Sequence, residues 1–581
     1  MSFATLLYAA CNATDPQQSG FSLLAGSGIA HGGLCVTYDA VVGLNAPLEL
    51  RPCSNMSSQQ WAYSNNAFSS TDETLSLQWS GQEHGACTSN PPSLGQGCII
   101  GAWHTAVPTT WNNAFLLDSP VPGMIQAQFA SSGGPTPSGL CVSVSQPPAP
   151  PTPTADVLAW SRREIMCLYD IDMCTYVGSQ GCDCSAPPPP ADAWAPTALD
   201  TDSWIAAGVS AGCQIHILVA KHMCGFLSWA STSASALGYN YSTAYSSTPV
   251  DAVDAFVKSA RKASQRIGMY YSLTNNARTK TCNGNILPNP AAGQISVTPA
   301  QYDEIVRGHL TELWGNYGEL DETWFDGGFV ASQKTWIPAL LSTLQPHAVA
   351  FNGETLSPNP TRWIGTESGY APVETWSTCD YSDNGSGGGS PESPTWFPAE
   401  TDFTVLASDT WFFDNVHDVR PPAELRAMYE ASVGRNTQML IGLAIPPNGT
   451  VAGTAQAQAL STLGAYISGC FGSPIAQTSG TGLTFSVMPS AAVTIDRVTI
   501  AEDQTTGQRV RAWNVSAMLA NGTTVSVGAG LSVGNKRIIA FPELSAVSMV
   551  TLTIAEAIAT PVIRMFAIYG GCNALAKELD K

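Results

Sequence analysis

The sequence predicts a multidomain chain: an N-terminal all-β domain, a (β/α)8-like barrel and a C-terminal β-sandwich. Three observations point there. Helix and strand signals alternate from Trp160 onward, and the strands are apolar along their whole length. A proline-rich run, Gln146-Pro-Pro-Ala-Pro-Pro-Thr-Pro-Thr, precedes that stretch, and helical signals stop after about Gly469. Continuously apolar strands separated by helices are the pattern of a parallel sheet covered on its outside. A chain of 581 residues also needs more than one core.

Residues 1–146 are rich in Gly, Ser and short apolar runs, with cysteines at Cys11, Cys35, Cys53, Cys87, Cys98 and Cys141. Gly33-Leu-Cys-Val-Thr-Tyr-Asp, Leu48-Glu-Leu-Arg-Pro-Cys53 and Gln59-Gln-Trp61 together resemble one ricin-type β-trefoil repeat, whose Gln-x-Trp element packs in the core of a lobe. Gly139-Leu-Cys-Val-Ser-Val resembles the opening of that repeat. Carbohydrate binding and a purely structural, cysteine-stapled β domain are both open readings. Residues 147–156 read as a semi-rigid proline spacer.

The barrel is expected over 157–468. Trp204-Ile-Ala-Ala-Gly-Val-Ser-Ala reads as a helix before the strand Ile215-His-Ile-Leu-Val-Ala220. A helix entered at Ser247-Thr-Pro249, with Val253, Phe256, Val257 and Ala260 on one face, leads to the strand Ile267–Tyr271. Thr298-Pro299 opens the next helix, with Tyr302, Ile305, Val306, Leu310 and Leu313 at helical spacing. Strand His347–Phe351, a helix from Pro422 and strand Gln438–Leu443 complete the pattern. The roughly 310 residues available suit a barrel of ordinary size. Residues 469–581 then read as strands, among them Val493–Ile500, Gly507–Trp513 and Ser545–Ile554.

Asp321-Glu-Thr-Trp-Phe-Asp326-Gly-Gly is the most informative segment. It places Asp326 where an apolar strand gives way to a glycine turn, at the C-terminal rim where barrel enzymes hold their catalytic groups.

Bulk properties exclude several classes. A formal charge of −20 argues against nucleic acid or an anionic membrane as partner. No apolar run approaches the ~20 residues of a membrane span. Sixteen cysteines and seven Asn-X-Ser/Thr sites (Asn12, Asn55, Asn240, Asn384, Asn448, Asn514, Asn521) point to an oxidising, secretory compartment. The expectation rests on those features alone, because Met1–Ala10 has no basic leader region. Oligomeric state is not legible.

The barrel resembles glycoside hydrolase family 29 α-L-fucosidases, especially their plant-like branch. The likeness is carried in order by Leu199-Asp-Thr-Asp-Ser-Trp204, Ala220-Lys-His222, Gly225-Phe226, Gly268-Met-Tyr-Tyr-Ser272 and Trp324-Phe-Asp326-Gly. Arg362-Trp-Ile-Gly-Thr-Glu367-Ser-Gly-Tyr-Ala-Pro372, Trp396-Phe-Pro-Ala-Glu400-Thr-Asp402 and Ser432-Val-Gly-Arg-Asn436 continue it. The resemblance implies a retaining glycosidase that takes a fucosylated glycan or another carbohydrate, and the cysteines and sequons add the expectation that it is secreted. It implies Asp326 as nucleophile and Glu367 as acid/base, with no cofactor and no metal. Retaining enzymes need two such carboxylates ~5–5.5 Å apart. His222 and Tyr271 fall at strand ends within matching motifs, and Trp324, Arg362 and Trp396 are candidate pocket walls. Glu400 is a lesser candidate for acid/base or sugar contact.

The pocket departs from the family pattern. Asp170 stands at the family's histidine in Phe-His-Phe-Gly, which makes it a candidate substrate contact, and Asp172 stands at the glycine. Gln180-Gly181-Cys182 replaces Glu-Trp-Gly, and His222-Met223-Cys224-Gly225 replaces His-His-Asp-Gly. Cys174, Cys182 and Cys224 thus crowd one rim beside Cys184, and a disulfide from the 174–184 loop to Cys224 or its neighbours is expected. With those changes, hydrolysis of a different sugar, or glycan binding without catalysis, stays open beside fucosidase activity.

Overall fold

The computed structural model describes residues 150–380 and 387–581, plus the backbone of strands lying between Ala4 and Val144. The trefoil-like reading of residues 1–146 and the start of the proline spacer lie outside the described residues. Residues 150–581 form one compact unit.

Its centre is a closed barrel of eight parallel strands. They are β1 (Ile165–Asp170), β2 (Ile215–Lys221), β3 (Arg266–Tyr271), β4 (Glu322–Trp324), β5 (Val349–Phe351), β6 (Pro360–Trp363), β7 (Ala399–Thr404) and β8 (Gln438–Ala444). Pairing of β8 with β1, Leu440 opposite Met166, closes the ring. Strands β1, β6 and β7 were not distinguished as strands by the alternation of sequence signals. Polar residues in β6 and β7 disguise them: Arg362 in the one, Glu400 and Asp402 in the other.

Because side chains alternate along a strand, each strand serves two cores. Met166, Leu168, Ile215, Ile217, Val219, Tyr270, Trp324, Val349, Phe351 and Leu440 fill the barrel interior. Cys167, Tyr169, Leu218, Met269, Tyr271 and Phe325 pack outward against the helices. Each buried residue of this size contributes about 1.5–3 kcal/mol relative to exposure, so the two-period pattern fixes register.

The helix layer follows the expected capping logic. Helix α1 (Ala155–Ser161), capped by Thr154, sends Trp160 into the interior cluster. Trp160 Nε1 donates to Glu322 Oε2 at 2.8 Å. After the short α2 (Met173–Val177) come α3 (Thr201–Ala211) and α4 (Ala252–Lys262). Helix α4 begins later than Thr248-Pro249 suggests, because Asp251 accepts the Asp254 amide and supplies the cap. Helix α5 (Pro299–Gly315) has a full capping box: Thr298 Oγ1 accepts from Gln301 N while Gln301 Oε1 accepts from Thr298 N. Helices α6 (Ile337–Leu344), α7 (Pro422–Ser432) and α8 (Ala455–Phe471) complete the layer.

The C-terminal strands form one antiparallel seven-stranded sheet rather than two separately bonded sheets. The 21-residue strand Arg537–Ala557 accounts for this. Its first half pairs with Val493–Glu502, and its second half with Thr484–Val487 and Val510–Leu519. Around it gathers a separate core that includes Val498, Trp513, Leu552 and Phe566. Cys470–Cys572 ties α8 to the terminal helix α9 (Cys572–Leu579). Arg497 Nε donates to Glu430 Oε1 at 2.8 Å, joining sheet and barrel.

Candidate active site

A cavity of about 80 Å³ opens at the C-terminal ends of the strands, lined by Leu168, Asp170, Gln180, His222, Tyr270, Trp324, Asp326, Glu367, Asp402 and Trp411. Parity explains the membership. Leu168 and Asp170 on β1, Tyr270 on β3, Trp324 on β4 and Asp402 on β7 are the inward residues of their strands. Asp326, two residues beyond Trp324, keeps the same inward phase.

The floor is aromatic. Trp324 stacks on Phe351 at 3.8 Å between ring centroids and on Tyr270 at 5.1 Å. Above it, Tyr270 Oη donates to Asp326 Oδ2 at 2.6 Å. Such a bond to a carboxylate is short and directional, and it fixes one oxygen of Asp326. Glu367 comes from the loop after β6, and its Oε2 accepts from Trp411 Nε1 at 2.9 Å. Trp411 can lie there because β8 carries Gly442 beneath it. A Cβ at that position would sit 2.6 Å from the indole ring.

Burial acts strongly on the carboxyls of the cavity and of the barrel beneath it. Burial raises the Glu367 pKa, and the nearby charges of Asp409 and Asp326 push the same way against the Trp411 bond. Burial drives Asp170 and Asp402, which also line the cavity, well above the ordinary carboxylate range. Glu400 is raised likewise, by burial and then by Glu322, while Glu322 itself is pushed up to about 7. Burial thus biases all of these interior acids in one direction, toward the neutral form. Burial also brings Lys221 down to about 7 and His222 down to about 4. A neutral imidazole at the cavity wall can donate from one nitrogen and accept at the other.

The 174–184 loop is pinned beside this cavity. Cys182–Cys224 joins it to the turn after β2, and Cys184–Cys282 joins it to the segment after β3. Cys167–Cys213 bridges β1 to the turn after α3. The expected disulfide between this loop and Cys224 is therefore present, through Cys182. It lets Gln180 clasp the opposite loop: Nε2 donates to the Phe412 carbonyl at 2.8 Å and Oε1 accepts the Phe412 amide at 2.9 Å.

Residues 188–469 match the sequence model of the family described as alpha-L-fucosidase. The likeness is to α-L-fucosidases. Alpha-L-fucosidase 1 of Arabidopsis thaliana is 29% identical over 321 residues, covering 52% of this chain and 57% of that protein. The chain thus matches somewhat more than half the length of such curated relatives. A solved structure of a candidate α-L-fucosidase from Bacteroides thetaiotaomicron superposes with a TM-score of 0.65 at 27% identity, over 72% of this chain and 99% of that one. A glycoside hydrolase 29 family member from a rumen bacterium shares the fold at 23% identity, with a TM-score of 0.62 over 73% of this chain and 78% of that one.

On this fucosidase-like barrel the sequence-derived residues fall into two groups. Asp326, Glu367, His222, Trp324 and Asp170 share the cavity. Tyr271 faces the helix layer, where its hydroxyl is 2.9 Å from His309 Nδ1. Arg362 is wholly buried, and its guanidinium donates to the carbonyls of Phe397, Gly387 and Trp376. Trp396 belongs to the interior cluster. Glu400 lies one layer down, accepting from Trp324 Nε1 at 3.0 Å. Tyr270, Asp402 and Trp411 were not singled out from sequence. Strand parity counted back from Asp326 picks out Trp324 on β4, and only the pairing of Tyr270 with Trp324 identifies the inward tyrosine. Trp411 lies on an irregular loop and has no periodic signal.

Proposed function

We propose that this chain is a retaining α-L-fucosidase of the secretory pathway, with Asp326 as nucleophile and Glu367 as acid/base. The observation that supports it most is the pairing of two unlike carboxyls in one cavity. Asp326 is held by a tyrosine hydroxyl, and Glu367 is biased toward its protonated form. In the first half-reaction Asp326 attacks the anomeric carbon as the bond to the leaving oxygen breaks, and Glu367 gives that oxygen its proton. In the second, Glu367 takes a proton from water, which displaces Asp326 from the anomeric carbon. Trp324 and Tyr270 offer the sugar an apolar face, and His222 a polar edge. The four disulfides among the described residues accord with an oxidising compartment, and no described helix is long and apolar enough to cross a membrane. The same reading divides the chain at 1–146, 147–156, 157–468 and 469–581, with the first segment a candidate glycan-binding module.

One observation favours a second reading, hydrolysis of a different sugar. Asp170 Oδ2 is buried without a partner at the cavity wall, so the sugar that satisfies it sets the specificity.

Turnover of para-nitrophenyl α-L-fucoside tests the proposal. Release of nitrophenol is expected, with the first-formed fucose retaining its α configuration, and a loss of about 10³-fold or more in Asp326→Asn. Turnover confined to another aryl glycoside would select the second reading. Glycan binding with no turnover on a broad panel would make the chain a binding protein.

A further inference from the structure

Beside the cavity, Asp172, Cys174 and His222 bring a carboxylate oxygen, a thiol sulfur and an imidazole nitrogen within 4.8 Å of one another. Asp172 is at the N-cap position of α2, close enough to the Met173 amide to feel it but without a capping hydrogen bond. It is 1% exposed, and neither of its carboxylate oxygens has a partner. His222 Nδ1 is enclosed and unpartnered in the same way. Cys174 is buried and outside any disulfide. Its sulfur lies 3.3 Å from that of Cys224, whose bond to Cys182 is already made.

Buried polar atoms left this way are destabilising and call for an occupant. The charge of Lys221 acts on Asp172, but its ammonium makes its hydrogen bonds to the carbonyls of Ser272 and Asn275 and none to that carboxylate. We propose that Asp172, Cys174 and His222 bind a zinc-like divalent cation through one carboxylate oxygen, Sγ and Nδ1, leaving a fourth position open. Three donors of mixed oxygen, sulfur and nitrogen type suit zinc, whereas calcium and magnesium take all-oxygen sets. Donors around tetrahedral zinc are roughly 3.3–3.8 Å apart, so the cluster need contract by only about 1 Å. Asp172 and Cys174 come from one segment and His222 from the end of β2, and the Cys182–Cys224 disulfide clamps these two segments together. On binding, Cys174 gives up its proton and sulfur becomes the anionic ligand.

A consequence follows for the cavity that His222 lines, and it alone rests on the glycosidase reading. A cation on Nδ1 confines the ring proton to Nε2, which makes His222 a hydrogen-bond donor toward a bound sugar.

The test uses the full chain without a histidine tag, stripped by dialysis against a chelator. Zinc titration followed by calorimetry should show one cation per chain with a Kd below about 1 μM, and cobalt should give a thiolate-to-metal absorption band. Cys174→Ser should abolish the band, and Asp172→Asn should weaken zinc binding about 10–100-fold. Because either variant could misfold, zinc-edge X-ray absorption on the unmodified chain gives an independent reading: one sulfur at about 2.3 Å is expected. No stoichiometric uptake, uptake unchanged in both variants, or a zinc shell without sulfur would overturn the site. None of these readings depends on turnover, so their failure leaves the fucosidase proposal standing.

Discussion

The Tyr270 hydroxyl reaches 2.6 Å across from β3 to Asp326 Oδ2 beyond β4, while the adjacent Tyr271 points out of the barrel to His309. Two neighbouring tyrosines with opposite phase make a sharp experiment. Tyr270→Phe removes the bond that aims the carboxylate, so kcat/KM should fall about 10–100-fold with little loss of stability. Tyr271→Phe should lower stability by about 1 kcal/mol and leave kcat/KM within about twofold. Equal effects of the two on kcat/KM would refute the assignment of Tyr270 to the site.

Much of the barrel was legible because continuously apolar strands and capped helices repeat, and Asp326 was legible because a strand ending in Asp-Gly-Gly is a rim signature. The strands β6 and β7 were hidden by Arg362, Glu400 and Asp402, residues whose burial is compensated by carbonyls and indoles far away in sequence. The cavity wall was legible only in part. Choosing Tyr270 over Tyr271 requires the pairing register of β3 with β4, and Trp411 owes its place to the empty space above Gly442. Neither relation has a local sequence signal.

Trp411 donates to Glu367 Oε2 and so favours the charged form of that carboxyl. Replacing the indole by Phe removes the donor, and the Glu367 pKa should rise further. Because the proposed acid must be protonated, the alkaline limb of the kcat/KM profile should move to higher pH, by up to about one unit. Gly442→Ala, which crowds the same ring, should shift the limb in the same direction with the indole still present. An unmoved alkaline limb in both variants would disconnect Trp411 from the acid.

The Cys182–Cys224 disulfide closes a sequence separation of 42 residues and holds the loop bearing Gln180. Chain entropy alone assigns such a crosslink about 4 kcal/mol. The double variant Cys182→Ser/Cys224→Ser should therefore unfold at lower denaturant concentration. It should also show KM raised more than kcat is lowered, since Gln180 and its two bonds to Phe412 shape the entrance without touching the reacting atoms. A KM equal to that of the parent chain would show that the loop holds its place without the crosslink.

Glu322 carries the clearest stability signature. Burial pushes its pKa up to about 7, with Trp160 and Glu400 as partners, and it titrates together with Glu400. The folded chain keeps a proton that the unfolded chain releases near pH 4.5. The stabilisation is therefore complete below the unfolded pKa and is lost as pH rises through about 7. Glu322→Gln keeps an acceptor for Trp160 and a donor toward Glu400 but cannot ionise. Its stability should vary less between about pH 5 and 8, the difference shrinking by about 1–3 kcal/mol relative to the parent. Denaturant midpoints of the barrel transition at several pH values read this directly. Parallel pH curves for the two chains would show that Glu322 does not take up a proton on folding.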